Sequence, residues 1–179
     1  YTYRHAPNTY TDFDVRVRSR VADSEYQKIH GIIFRFEDSE NFYVFEIDPI
    51  KGRFRFRTQE NDIWSTITGW TPSPTLGGGG ASNEIRVVAK GETIQQYVNN
   101  TLVNTVEDSR FKAGRISLYA NNSIDPQGSE VFFDDLRILS SPSLSPTPTP
   151  IPTPTPVPVV APPGASQLLY REDFEDPGS

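Results

Sequence analysis

Two histidines, His5 and His30, and no cysteine are all that this 179-residue chain offers as neutral-pH bases or thiolates. His30 alternates in phase with Ile32 and Phe34, which assigns it to a packed structural position rather than to a base. Neither histidine has a serine nucleophile context, and without cysteine there is no disulfide scaffold and no thiolate metal site. The aromatic residues are more suggestive. Trp64, Trp70, Tyr43 and Tyr97 present flat apolar surfaces with polar handles, the chemistry that stacks on a sugar ring and equally the chemistry that fills a β core. Gly77, Gly78, Gly79 and Gly80 have the composition of a phosphate cradle, but no helix follows for such a loop to open into, so they read as a flexible loop. Asn99-Asn100-Thr101 and Asn121-Asn122-Ser123 satisfy the N-glycosylation rule, a pattern common by chance.

The elements that must position these residues are strands. From Thr11 onward Phe13, Val15, Val17 and Val21 alternate with Asp14, Arg16, Arg18 and Arg20, a period of two that puts apolar groups on one face. Similar runs occupy residues 29–37, 42–48, 53–58, 63–70, 84–90, 93–99, 102–106, 115–120 and 131–139. Turn residues separate them: Asp48-Pro49-Ile50-Lys51-Gly52, Lys90-Gly91-Glu92, Asn99-Asn100, Lys112-Ala113-Gly114 and Asp125-Pro126-Gln127-Gly128 set positive φ or fix a reversal. About ten short strands with no helical periodicity predict an all-β protein, an antiparallel jelly roll or β-sandwich.

Composition excludes some partners. A net charge of -6 and a pI near 4.9 give no support for nucleic acid or an anionic membrane as a partner. No apolar run approaches the roughly 20 residues that span a bilayer, so no membrane insertion is expected. The chain starts at tyrosine and contains no methionine, which reads as a processed product or an excerpt.

Beyond residue 140 the character changes. Of the twenty-four residues 141–164, ten are proline, many alternating with threonine. Such a segment cannot donate a backbone ladder and favours an extended polyproline II rod, roughly 3.1 Å per residue. Thr147, Thr149, Thr153 and Thr155 would expose their hydroxyls on that rod, and serine and threonine interleaved with proline is the composition of O-glycosylated stalks in exported proteins. The domain plan is therefore 1–140 for the jelly roll, 141–166 for a Pro/Thr linker, and 167–179 for a detached terminal strand built on Leu168, Leu169, Tyr170, Arg171, Glu172, Asp173 and Phe174. A lone strand of that length is not stable in water and must complete a sheet somewhere.

Asn41-Phe42-Tyr43-Val44-Phe45-Glu46-Ile47-Asp48, Asn83-Glu84-Ile85-Arg86-Val87-Val88-Ala89, Tyr97-Val98-Asn99-Asn100, Gly114-Arg115-Ile116-Ser117-Leu118-Tyr119-Ala120 and Val131-Phe132-Phe133-Asp134-Asp135-Leu136-Arg137-Ile138 resemble the concanavalin A-like, laminin-G-like jelly rolls of bacterial exported proteins. The resemblance covers about residues 11–139, and that fold hosts lectins, glycosidases and plain structural modules. Glu46-Ile47-Asp48 is similar to the start of the paired-acid motif of jelly-roll glycosidases, in which a second glutamate supplies the acid/base. Here Pro49-Ile50-Lys51-Gly52 follows, so the acids read as a strand end and a turn, and no enzyme activity is expected.

The resemblance also implies an opening strand of the form leucine-leucine-tyrosine, acidic residues, phenylalanine, paired beside the closing strand. The first seven residues have no such segment, and its match, residues 168–174, stands at the other end. Tandem continuation into a next domain, donation to another subunit in a head-to-tail polymer, and closure onto the same domain are the three arrangements that satisfy it. Donation would pair Leu168, Leu169, Tyr170, Arg171, Asp173 and Phe174 with an acceptor strand carrying Val131, Phe132, Phe133, Asp135, Leu136 and Ile138. It would also gather Asp134, Asp135, Glu172 and Asp173, four carboxylates that repel unless Arg137 and Arg171 intervene or a calcium ion binds. The reading is a non-enzymatic, extracellular fibre subunit assembled by strand donation, its linker a candidate for glycosylation; the alternative is a lectin-like carbohydrate-binding module in a tandem-repeat secreted protein.

Overall fold

The computed structural model describes residues 2–22, 28–121 and 130–140, with side chains from His5 onward. The linker threonines Thr147, Thr149, Thr153 and Thr155, the terminal residues Leu168, Leu169, Tyr170, Arg171, Asp173 and Phe174, and Glu172 all lie outside the described residues.

Two antiparallel sheets face one another, with no helix among the described residues. One has six strands in the order β1 (Thr2–His5), β10 (Arg115–Asn121), β3 (Ile29–Asp38), β4 (Asn41–Asp48), β5 (Arg53–Glu60) and β6 (Ile63–Pro72). The other has five: β11 (Val131–Leu139), β2 (Phe13–Val21), β7 (Ser82–Lys90), β8 (Thr93–Val98) and β9 (Thr101–Glu107). The ten strands expected from period-two patterning all form, within a few residues of the expected bounds. The first strand is the addition. Thr2–His5, where the sequence suggests none, pair with β10 over Thr2↔Ala120 to His5↔Ser117. Four residues without an alternating apolar face carry too little signal for periodicity to find.

The core lies between the sheets. Phe13, Val15, Val17, Ile85, Val87, Ile94 and Val98 come from the five-stranded side and Ile32, Phe34, Tyr43, Phe45, Ile47, Phe54, Phe56 and Ile116 from the six-stranded side. Phe34 stacks on Phe56 at 5.8 Å and on Tyr43 at 5.4 Å, so the centre of the core is aromatic. Connections are tight. Asn61 and Asp62 between β5 and β6, and Asn99 and Asn100 between β8 and β9, all have positive φ, as two-residue hairpin turns of right-handed twist require.

Gly31 in β3 is fixed by packing: an added Cβ would lie 1.9 Å from the Phe45 carbonyl oxygen of β4. The Gly77 to Gly80 loop is not loose throughout. Asn83 accepts from the Gly77 N–H at 2.8 Å and donates to the Gly77 carbonyl at 3.1 Å, clamping the start of the loop onto β7. Asn99 is equally engaged, donating to the Thr75 carbonyl at 2.6 Å and accepting from the Glu84 N–H at 2.7 Å. Its amide also donates to Asn83 Oδ1 at 3.0 Å, so a glycan on Nδ2 would cost one of the two donated bonds while Oδ1 could still accept.

Candidate functional site

Register decides which side chains share a surface. Gly31, Glu46 and Arg55 stand side by side across β3, β4 and β5, and Ile33, Val44 and Arg57 form the next row. Both rows point away from the core, because Ile32, Phe45 and Phe56 between them point into it. On this outer face of the six-stranded sheet β6 adds Trp64 and Trp70, opposite Gln59 and near Arg53.

The result is a row of alternating charge between two aromatic plates. Arg55 donates from Nε and Nη2 to Glu46 at 2.6 and 3.2 Å, and Arg57 does the same at 2.8 and 3.0 Å. Arg53 donates from Nε to Asp48 at 3.0 Å. Arg57 lies 4.0 Å from the Trp64 ring, and Arg53 and Arg55 each lie 4.3 Å from Trp70. Such stacking on a partly desolvated surface contributes about 0.5–2 kcal/mol per pair. Glu46 is fully buried beneath these groups, whereas the side chains of Arg55 and Arg57 keep 19% and 15% exposure. Trp64 is 36% exposed. A ligand approaching this face therefore meets guanidinium and indole before it meets carboxylate.

The aromatic surface continues across the sheet. Trp64 meets Phe42 edge-on at 5.5 Å, Phe42 stacks on Phe36 at 5.7 Å, and Phe36 meets the His5 ring at 4.5 Å. His5 sits 2.6 Å from the Ser117 hydroxyl, and its pKa is lowered by burial and by the charge of Arg115. Ile29, Ile33, Phe36, Phe42, Val44 and Tyr119 form a second, buried apolar cluster along this strip.

Of the four aromatic residues singled out as a sugar platform, the structure brings two together. Trp64 and Trp70 share the outer face. Tyr43 points into the core and donates its hydroxyl to Asp108, and burial raises its pKa beyond the normal range. Tyr97 belongs to the other sheet, where its ring lies 4.6 Å from Arg86 and its hydroxyl donates to Gln95 at 2.7 Å. The arginines at positions 53, 55 and 57 are the residues that sequence reasoning missed. The signal was available: three arginines at spacing two, facing Glu46 and Asp48 on the preceding strand, with Phe54 and Phe56 marking the opposite face.

His30 has the packed position expected of it. It is fully buried, Nδ1 donating to the Lys28 carbonyl at 3.1 Å and Nε2 lying 2.9 Å from the Ser19 hydroxyl, and burial pushes its pKa down to about 4.

A second feature lies at the open side of the sandwich. β11 is an edge strand, paired to β2 on one side and to no described strand on the other. Val131, Phe132 and Phe133 pair with Val21, Arg20 and Ser19, and Ile138 pairs with Val15. Asp135 and Leu136 fall in an irregularity between Asp134 and Arg137, where Asp135 has a φ of 53°. Beside it runs an apolar groove of about 430 Å³, with Ala6, Pro7, Tyr10 and Leu118 on one wall and Leu136 and Ile138 on the other. Phe132, Leu136 and Leu139 are exposed. Arg18 lies 3.0 Å from Asp135; the expected grouping of Arg137 and Arg171 with four acids involves tail residues outside the described ones. No cluster of three metal-ligating side chains exists among the described residues. Glu172 and Asp173, the other half of the expected calcium group with Asp134 and Asp135, lie outside them.

No protein-family model matches this sequence, and no curated protein does. Solved structures do. The carbohydrate-binding module CBM66 from Bacillus subtilis is similar with a TM-score of 0.64 at 19% identity, over 76% of this chain and 80% of that one. Sheep galectin-11, in complex with glycerol, is similar with a TM-score of 0.57 at 10% identity, over 77% of this chain and 96% of that one. The GH43 protein BlXynB from Bacillus licheniformis gives 0.58 at 14% identity, over 74% of this chain but only 28% of its own length. These likenesses establish the fold, a jelly-roll β-sandwich of the concanavalin A-like kind.

Proposed function

We propose that the chain is a non-enzymatic carbohydrate-binding module, with the glycan held on the outer face of the six-stranded sheet. The observation that carries this reading is the run Trp64, Arg57, Glu46, Arg55, Trp70. A sugar presents hydroxyls that both donate and accept and ring faces that are weakly apolar, so a surface of fixed charged groups flanked by indoles is complementary to it. The neighbours add support, since one is a carbohydrate-binding module and another a galectin. Glu46 is ill suited to hydrolysis, because it is fully buried and both of its oxygens are taken by Arg55 and Arg57. A broad glycan array tests the reading. Signal is expected for the intact protein, reduced at least about tenfold, or about 1.4 kcal/mol, by Trp64→Ala or Trp70→Ala and retained by Tyr97→Ala on the other sheet. An array with no signal at all ends this reading.

The open edge of β11 and the groove beside it favour a second reading, an extracellular fibre subunit. In it the Leu168, Leu169, Tyr170, Arg171, Asp173 and Phe174 segment of one copy adds to the edge of another, and the Pro/Thr linker between them carries sugars on its threonines. Strand addition uses the unpaired backbone groups that an edge strand offers. The irregularity at Asp135 and Leu136 limits the ladder to the stretches on either side of it, and the groove would take the apolar side chains. Electron microscopy of the purified chain with and without residues 167–179 is the test: filaments that survive the deletion contradict it, and filaments lost with the deletion support it.

A further inference from the structure

We infer that the saccharide bound on the outer face is an acidic one, carrying a carboxylate or a sulfate that lodges against Arg55 and Arg57. The inference rests on the glycan reading above and narrows it to a ligand class.

Charge stoichiometry is the reason. Glu46 is the carboxylate for both Arg55 and Arg57, and neither guanidinium has a second carboxylate among the described residues. Asp48 has none to lend, being engaged by Arg53. Two cations against one anion leave one positive charge over on a surface where water is already largely excluded. A surplus charge held at so little exposure is costly, and an arriving anion relieves that cost. The neutral hydroxyls of an uncharged sugar do not.

Geometry agrees. Both guanidiniums use Nε and Nη2 for Glu46, the inner edge of the fork. Nη1 lies on the other side of each planar group, and the edge it shares with Nη2 is a second edge able to pair two-to-two with a carboxylate or sulfate. Each guanidinium is also stacked on one indole, Arg57 on Trp64 and Arg55 on Trp70, which fixes its plane before a ligand arrives. The carboxylate that would repel such a ligand lies buried beneath. The attraction is local, since the chain as a whole is acidic and a field from -6 spread over the molecule is screened within about 8 Å at physiological salt.

The test is calorimetric titration of the full chain with three oligosaccharides of equal length: a neutral glucan, its glucuronate counterpart, and its sulfated counterpart. The uronate, the sulfated sugar or both are expected to bind about tenfold or more tightly than the glucan, consistent with one added charge-assisted hydrogen bond. That ratio should fall as salt is raised and fall again in Arg57→Gln and Arg55→Gln. Equal affinity for neutral and acidic members overturns this inference and leaves the glycan reading standing. An acidic preference indifferent to both substitutions overturns it too, because the anion would then sit elsewhere. Should a variant fail to fold, the salt dependence of the ratio in the unaltered chain decides alone, and a flat ratio overturns the inference. No binding of any of the three, together with a blank glycan array, removes both.

Discussion

His30 and Ser19 join the two sheets from inside the core, with Nε2 of the histidine 2.9 Å from the serine hydroxyl. The Lys28 carbonyl accepts at Nδ1, so the proton is on Nδ1 and Nε2 accepts from serine. Burial, the largest influence on the ring, keeps it neutral by lowering its pKa to about 4 from an ordinary 6.5.

A pH dependence follows from that relationship. Between about 6.5 and 4 the unfolded chain binds a proton that the folded chain refuses, so stability is full above pH 6.5, falls as pH drops through this window, and levels off below 4. The loss due to this residue is on the order of 3 kcal/mol. Denaturant unfolding at a series of pH values should show the slope, and His30→Gln should flatten it while lowering the stability at pH 7.

Glu46 is the buried anion that neutralises part of a three-arginine row. Replacing it by glutamine leaves two guanidiniums without a carboxylate, an imbalance that costs about 3 kcal/mol when a buried pair is broken. Chemical denaturation of Glu46→Gln measures it. A cost below 1 kcal/mol would mean that solvent compensates the arginines freely.

Gly31→Ala should be the most damaging single methyl in the sheet. Its Cβ would lie 1.9 Å from a backbone oxygen, which no rotamer change can relieve, so β3 and β4 must part. A loss of at least about 3 kcal/mol is expected, with little soluble protein recovered.

The Arg18 and Asp135 pair offers a contrast. At 3.0 Å the contact is well formed, but the side chains keep 59% and 42% exposure. Arg18→Ala should therefore change stability by no more than about 1 kcal/mol, and the effect should shrink with added salt. A larger loss in a thermal melt would assign Arg18 a packing role beyond its charge.

The sheets were legible in the sequence because burial on one side imposes a period of two, and β2, with valines and phenylalanine against arginines, shows it plainly. The pairing order was not legible, since strands that neighbour in space, such as β10 with β3, are far apart in the chain. β4 misled in a different way. Nearly all of it is buried, Phe42 and Val44 on one face and Tyr43 and Phe45 on the other, so the sequence could not say that Tyr43 looks inward while Glu46 looks out. The site was half visible. Trp64 and Trp70 stood out by type, whereas the arginines between them looked like an ordinary solvated face until register set them against Glu46 and Asp48. β1 escaped because four residues cannot establish a pattern.

Trp64 and Trp70 are the chain's only tryptophans, and both are on the same sheet face. Intrinsic fluorescence excited at the indole band thus reports from that face and from nowhere else. Emission colour and quencher access, read on unlabelled protein, become a direct gauge of whether anything has come to rest there, and the opposite sheet contributes no background.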